Sequence, residues 1–501
     1  MASTYDDSRR EFLRRMAQLG AVAGVAGFGA MPLPAFAAEP QNCAGPKPPQ
    51  TPIKWTPDTN PVLPRLPAST LSSADADRLR NGYKALRALA QSDPNDPRGW
   101  LQQGDKHCWN CGGGLDGQAG EEIHGSWLFL PWHRAFLYFH ERILGTLIND
   151  KSLRLAYWDW DNAAHRAVPS AWLTPNNATN PLFDANRSAV AGNQLPSFIV
   201  GPSVMNPIRN ATTFTQFGGN VSNPGILENG PHGGVHVWCG DTTLQSGKAD
   251  MGLLDTAAQD PLFFAHHANI DRLWDQWMKS SPSHKNPTSL SWLRHKFTFW
   301  DEQKRWVSIT VADVINMSTN LRYTYGTGTG TTPQPSPQIT AIAATPKVLK
   351  LPSDPEKGVT VPEEVRKRLL ATKAGPSTTP PAGPAGEGAG EKLTTLRVEG
   401  ITLPPDAAGI FRIVANGADQ GLPEEGSPND LGYVAIVPKT SKGGGHAHGG
   451  QPLTVELDVT QKLPRLIEKE GTLKLAYVPM AQGASAKSNR LPFSGVYLIE
   501  R

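Results

Sequence analysis

The sequence predicts a mainly α-helical domain followed by a small antiparallel β-domain, and three observations carry that prediction. All 14 tryptophans lie at or before Trp306, so one aromatic-rich core occupies the first two-thirds of the 501 residues. Two stretches in that part have helical periodicity: Ala74 to Gln91, with Leu79, Tyr83, Leu86 and Leu89 on one side, and the strongly apolar Trp132 to Ile148. Beyond residue 392 the pattern becomes six short strand-like runs, at 395–398, 411–414, 433–437, 453–459, 473–478 and 495–499, separated by turn residues.

Composition narrows the class. With 39% hydrophobic and 19% charged residues the chain is ordinary for a globular protein and long enough for more than one core. A net charge of +3, from 48 basic against 45 acidic side chains, gives no electrostatic case for nucleic acid or an anionic membrane. Four cysteines, Cys43, Cys108, Cys111 and Cys239, are too few for a disulfide scaffold.

Taken in order, the chain opens with an export address. Ser8-Arg9-Arg10-Glu11-Phe12-Leu13 is a twin-arginine pattern, Leu19 to Gly29 is an apolar run of small residues, and Ala35-Phe36-Ala37 is a cleavage site. Residues 1–37 are thus expected to be a Tat signal, with the mature chain starting near Ala38 in the periplasm or outside the cell. No other apolar run approaches the ~20 residues that span a bilayer. A helical domain is expected over 38–325, opening with a proline-rich strap to about residue 70. Gly/Thr-rich and Pro/Gly/Ala-rich tracts predict a linker over 326–391, and the β-domain follows over 392–501.

The chemistry lies in the histidines. His232 and His236 are four apart, so on a helix both imidazoles project from one face. Gly233 and Gly234 between them each cost a helix roughly 1 kcal/mol relative to alanine. A helix that keeps them is held by packing, and the close approach they allow implies that something sits against that turn. A third imidazole from His266-His267 would complete a three-nitrogen metal site, and His107, His124 and His133 form a second set of three. Two all-imidazole sites without carboxylates point to copper, because zinc hydrolases and non-haem iron sites bring in a carboxylate and structural zinc prefers thiolates.

At this point the sequence resembles a known family, the coupled dinuclear copper proteins that include tyrosinases, catechol oxidases and haemocyanins. It is most similar to the plant-type polyphenol oxidases, in a bacterial exported form. The residues that carry the resemblance are His107-Cys108-Trp109-Asn110-Cys111, His124-Gly125-Ser126-Trp127-Leu128-Phe129-Leu130-Pro131-Trp132-His133-Arg134, Glu228-Asn229-Gly230-Pro231-His232-Gly233-Gly234-Val235-His236 and Asp260-Pro261-Leu262-Phe263-Phe264-Ala265-His266-His267. Tyr323-Thr324-Tyr325 looks like the motif that ends the family's core.

The resemblance implies a four-helix bundle around two copper ions (Cu2+/Cu+), with O2 as co-substrate and a small phenol as substrate. His107, His124 and His133 would hold the first ion; His232, His236 and His267 would hold the second, with His266 a neighbour. Cys111 matches the cysteine that joins His124 in a thioether, and Cys108 matches a disulfide cysteine whose best partner is Cys43. Glu228 matches the residue that holds a water beside the second ion. Gly233 stands where strong monophenol hydroxylases often have asparagine, and Leu254 stands at the gate over the second ion. The implied reaction is oxidation of ortho-diphenols, with hydroxylation of monophenols, to ortho-quinones; an ortho-aminophenol oxidase or an oxygen carrier would share these motifs. A copper chaperone and the Tat translocase are the implied protein partners. The β-domain is expected to shield the site. Cys239 and His140 are expected to be packing residues, and Asp271 either to orient a ligand histidine or to pair with Arg272.

Overall fold

The structure, a computed structural model, describes residues 51–111, 122–188, 192–240, 250–326, 346–372 and 393–501, the last with short gaps at 405–406, 417–421, 425–426, 439–451, 469 and 481–487. The expected Tat signal and Cys43 lie outside the described residues. Helix α1, Ser73–Ser92, starts where the Ser72 hydroxyl accepts the Asp75 backbone N–H and buries Leu79, Tyr83 and Leu86. After α2, Trp100–Trp109, helix α3 runs over Phe129–Leu147. It begins one turn earlier than the sequence suggests, because Pro131 falls in its first turn, where a missing N–H costs nothing. Helix α4, Pro202–Arg209, and the short α5, Gly233–Cys239, precede the long α6, Leu262–Ser280. The core is mixed, with long α1, α3 and α6 packed together, short α2 and α5 set beside them, and small sheets at the rim.

The proline-rich strap is not plain coil. Its β1, Ile53–Lys54, runs parallel to β4, Trp306–Thr310, which pairs antiparallel with β3, Lys296–Trp300. Its β2, Leu63–Arg65, runs parallel to β5, Tyr323–Tyr325. Asp271 fastens this closure. It accepts from Arg65, Arg134, Tyr323 and Tyr325, all buried or nearly so. Burial alone would raise its pKa, yet the two guanidiniums hold it below the usual carboxylate range. Neither expected role is met: Asp271 touches no ligand histidine, and Arg272 pairs with Asp161 instead.

The β-domain starts earlier than predicted. Strand β6, Lys347–Leu351, pairs with β16, Gly495–Glu500, as the edge of a four-stranded sheet with β9, Thr394–Ile401, and β12, Leu453–Asp458. Helix α7, Glu363–Thr372, puts Val365 and Leu369 into the β-domain's own core. Residues 346–372 therefore belong to this domain, although a linker over 326–391 was expected. Their charged, proline-flanked sequence hides strands, two of which pair with partners more than a hundred residues away. A small sheet of β7, Ser353–Asp354, β8, Gly358–Thr360, and β13, Thr472–Leu473, lies beside it. The other four-stranded sheet contains β10, Gly409–Ala415, β11, Asp430–Ile436, β14, Leu475–Pro479, and β15, Asn489–Arg490. Among the described residues no helix is long and apolar enough to cross a membrane.

Candidate metal centre

Two groups of buried imidazoles face each other inside the helical core. His107, on the last turn of α2, comes together with His124 and with His133 on α3; His232, His236, His266 and His267 come together from the start of α5 and from α6. Within each group the candidate ligand atoms lie within 4.8 Å of one another. The groups also touch: His133 stacks on His267 at 4.1 Å between ring centroids and 8° between planes, and His124 lies 5.9 Å from His232.

Backbone carbonyls orient three of these rings. His133 Nδ1–H donates to the Phe129 carbonyl one turn back (2.8 Å), His107 Nδ1–H to the Leu254 carbonyl (3.1 Å), and His236 Nδ1–H to the Met251 carbonyl (2.8 Å). In each case the hydrogen sits on Nδ1 and the Nε2 lone pair is left for a cation. The turn at 250–254 thus holds one imidazole from each group. Sequence reasoning missed this role, because a carbonyl leaves no mark in a side-chain pattern.

A cation fits what remains. Neither ring nitrogen of His124 makes a hydrogen bond, nor do His133 Nε2, His232 Nε2 or His267 Nδ1, although all are buried. So many orphaned lone pairs in one apolar cavity are costly unless something coordinates them. His236 Nε2 and His267 Nε2 lie 3.2 Å apart, the spacing expected of two nitrogens each about 2 Å from one ion. Phe129 and Phe263 pack at 4.5–4.7 Å against His232, His133 and His107 and keep the centre dry.

Burial pulls His107, His133, His232, His266 and His267 well below the ordinary histidine pKa, with neighbouring imidazoles adding to the effect, and it brings His236 down to about 3. The unfolded chain, with histidines near 6.5, takes up protons that the folded chain refuses. This contribution to stability is therefore whole above pH 6.5 and is lost as the pH falls toward 3. Metal-free protein should melt at progressively lower temperature from about pH 7 to about pH 5, and bound copper, which also requires neutral imidazoles, should raise the melting temperature without flattening that slope. A melting temperature of metal-free protein that does not move over that range would contradict the arrangement.

The other predicted residues fall around this centre. Glu228 is buried at the start of the stretch Glu228–His232, which is kinked at Gly230; its Oε1 accepts the Gly125 N–H at 2.7 Å and its Oε2 has no partner. Burial pushes its pKa well up, the Gly125 bond opposes this, and Glu122 adds to it. Cys111 Sγ lies 3.3 Å from both ring nitrogens of His107, whereas the expected thioether partner is His124. Cys108 is buried, and its expected partner Cys43 is outside the described residues. His140 stacks on Phe264 at 3.5 Å and hydrogen-bonds Gln103 and Tyr83, and Cys239 is buried.

The β-domain lies directly on Gly233 and Gly234. A Cβ on Gly233 would stand 3.3 Å from the Ala435 methyl, and one on Gly234 would stand 2.5 Å from the Tyr433 hydroxyl. The Tyr433 hydroxyl donates to the Ile199 carbonyl at 3.0 Å, Leu254 N–H donates to the Pro438 carbonyl at 2.9 Å, and the Leu254 side chain packs with Cys111 and Val437.

Comparison with known proteins gives consistent results. The common central domain of tyrosinase matches residues 97–199 and 175–280, and the polyphenol oxidase middle domain matches 286–330. A chloroplastic polyphenol oxidase of Malus domestica is 33% identical over 362 residues, which are 61% of this chain and 58% of that protein. The chain spans about half the length of the curated relatives it matches. Among solved structures, active aurone synthase (polyphenol oxidase) is 30% identical, with 60% of this chain and 95% of that one covered at a TM-score of 0.52. Latent apple tyrosinase is 25% identical, with 89% and 100% covered at a TM-score of 0.61.

Proposed function

Because this chain belongs to the type-3 copper polyphenol oxidase family, we propose that it oxidises ortho-diphenols, and hydroxylates monophenols, to ortho-quinones with dioxygen. The observation that carries this reading is the pair of facing imidazole groups whose buried nitrogens lack partners. His107, His124 and His133 are the ligands of one copper and His232, His236 and His267 those of the other. Copper supplies the two-electron exchange with dioxygen.

The chain's own residues do the rest. The carbonyls of Phe129, Met251 and Leu254 aim ligand rings, and Phe129 and Phe263 exclude water. A phenol of pKa near 10 must lose its proton to react, so a base is needed at the mouth. Glu228 is that base, its unpaired Oε2 available to a water or to the substrate hydroxyl. Gly233 offers no side-chain donor to help hold that water, so diphenol oxidation outpaces monophenol hydroxylation. Leu254, smaller than phenylalanine, gates entry for bulky phenols. A Cys111–His124 thioether would fix the His124 ring, and its signature is a mass lower by two hydrogens than the sequence requires. A Cys43–Cys108 disulfide and Tat export rest on sequence motifs.

The β-domain acts as a cover. Its strand β11 and the residues after it press on Gly233, Gly234 and Leu254, and one structural relative is a latent tyrosinase.

Oxygen uptake by copper-loaded protein on catechol, tyrosine, 4-hydroxybenzoate and 2-aminophenol tests the reading; no uptake on either catechol or phenol would end it. Glu228→Gln should slow monophenol hydroxylation by roughly a hundredfold while catechol oxidation changes only a few-fold. Equal losses on both substrates would remove Glu228 from the role of base.

A further inference from the structure

The second group contains four imidazoles, one more than its copper uses in the reading above, on which this inference rests. The extra ring, His266, is buried and fits the cluster as closely as any ligand. It stacks on His232 (5.6 Å, 14°) and meets His236 edge-on (4.9 Å, 88°). Burial and proximity therefore give no reason why it should not bind metal.

Its hydrogen bond gives the reason. Trp160 Nε1 lies 3.1 Å from His266 Nδ1, between two fully buried side chains. An indole nitrogen can only donate, so His266 Nδ1 must be the acceptor. An imidazole whose Nδ1 lone pair is taken carries its hydrogen on Nε2, and a nitrogen bearing hydrogen has no lone pair for a cation. His266 Nε2 is the other buried atom of this ring, without a hydrogen-bond partner.

We propose that Trp160 is a positioning residue that locks His266 in its Nε2–H form, withholding a fourth imidazole from the second copper. Three imidazoles leave a coordination position open for oxygen and substrate, whereas a fourth would close it. Without the indole N–H, His266 can move its hydrogen to Nδ1 and present Nε2 to the metal. The ring that sequence spacing could not separate from His267 is then set apart by a tryptophan a hundred residues earlier.

Two measurements test this, neither of which depends on turnover. In the metal-free protein, nitrogen NMR of the imidazoles should find His266 protonated at Nε2, and Trp160→Phe should move that proton to Nδ1 in part or entirely. In a His124→Ala background that leaves only the second site, the Cu(II) spin-resonance spectrum should show three coupled imidazoles. Trp160→Phe added to that background should raise the number to four. His266→Phe serves where Trp160→Phe does not fold: it should retain three coupled imidazoles, and a fall to two would make His266 a ligand and overturn the proposal. Protonation at Nδ1 in the parent, or three imidazoles with Trp160→Phe, would also overturn it. A parent that binds no copper would instead overturn the dicopper reading, and the coordination half of this proposal with it; the NMR result separates the two failures.

Discussion

A cut in the chain between residues 326 and 346 should raise the rate of catechol oxidation by roughly tenfold or more, while a cut between 372 and 393 should leave it low. The difference follows from where the β-domain begins. Strand β6 pairs with β16 over five residues, and α7 packs Val365 and Leu369 into the β-domain's core. The proline- and glycine-rich sequence at 375–390 therefore falls inside the β-domain's stretch of the chain and not ahead of it. A cut before β6 leaves the β-domain no link to the core but its docking contacts, forfeiting an effective concentration on the millimolar scale, whereas after a cut at 372–393 the β6–β16 pairing and the packing of α7 still hold it. The contacts left behind include hydrogen bonds from Tyr433 to Ile199, from Leu254 to Pro438, from Gln216 to Glu456 and from Asn229 to Thr454, beside the close approach at Gly233 and Gly234, and they must then act without a tether. Full-length protein carrying a single protease site at either position, assayed before and after digestion, gives the answer. Equal activation by both cuts would refute the boundary; activation by neither would refute the cover.

His133→Ala should lower bound copper from two equivalents to one and suppress quinone formation more than about a hundredfold, beyond the range seen when only a ligand's supporting partner is lost. His133 is the ring through which the two groups meet, stacked on His267 and held by Phe129. His140→Gln makes the contrast. That ring lies two turns further along the same helix, on Phe264 and against Tyr83, and both metals should stay. Metal analysis beside an oxygen electrode decides both; two coppers in His133→Ala would sink the ligand assignment.

Much of the centre could be read from the chain because its parts are local. Four-residue spacing puts His232 and His236 on one helix, and Gly233 and Gly234 announced a close neighbour before the neighbour was known. That neighbour, Tyr433 and Ala435 on β11, lies two hundred residues away, and nothing in a local pattern could name it. The six C-terminal runs alternate strongly enough to be seen as strands. Strand β6 escaped because only its last residue, Leu351, is buried, so alternation was weak. Asp271 was misread for a related reason: its partners Arg65, Tyr323 and Tyr325 come from both ends of the core. Spacing left His266 and His267 equivalent, and only the distant Trp160 tells them apart.

Residue 254 is gripped from two sides, its amide by the carbonyl of Pro438 and its own carbonyl by His107. Undocking the β-domain thus also lets go of the peptide that steadies the His107 imidazole. Anything that changes the pull on the His107 ring must be returned, by thermodynamic reciprocity, as a change in how tightly the β-domain sits.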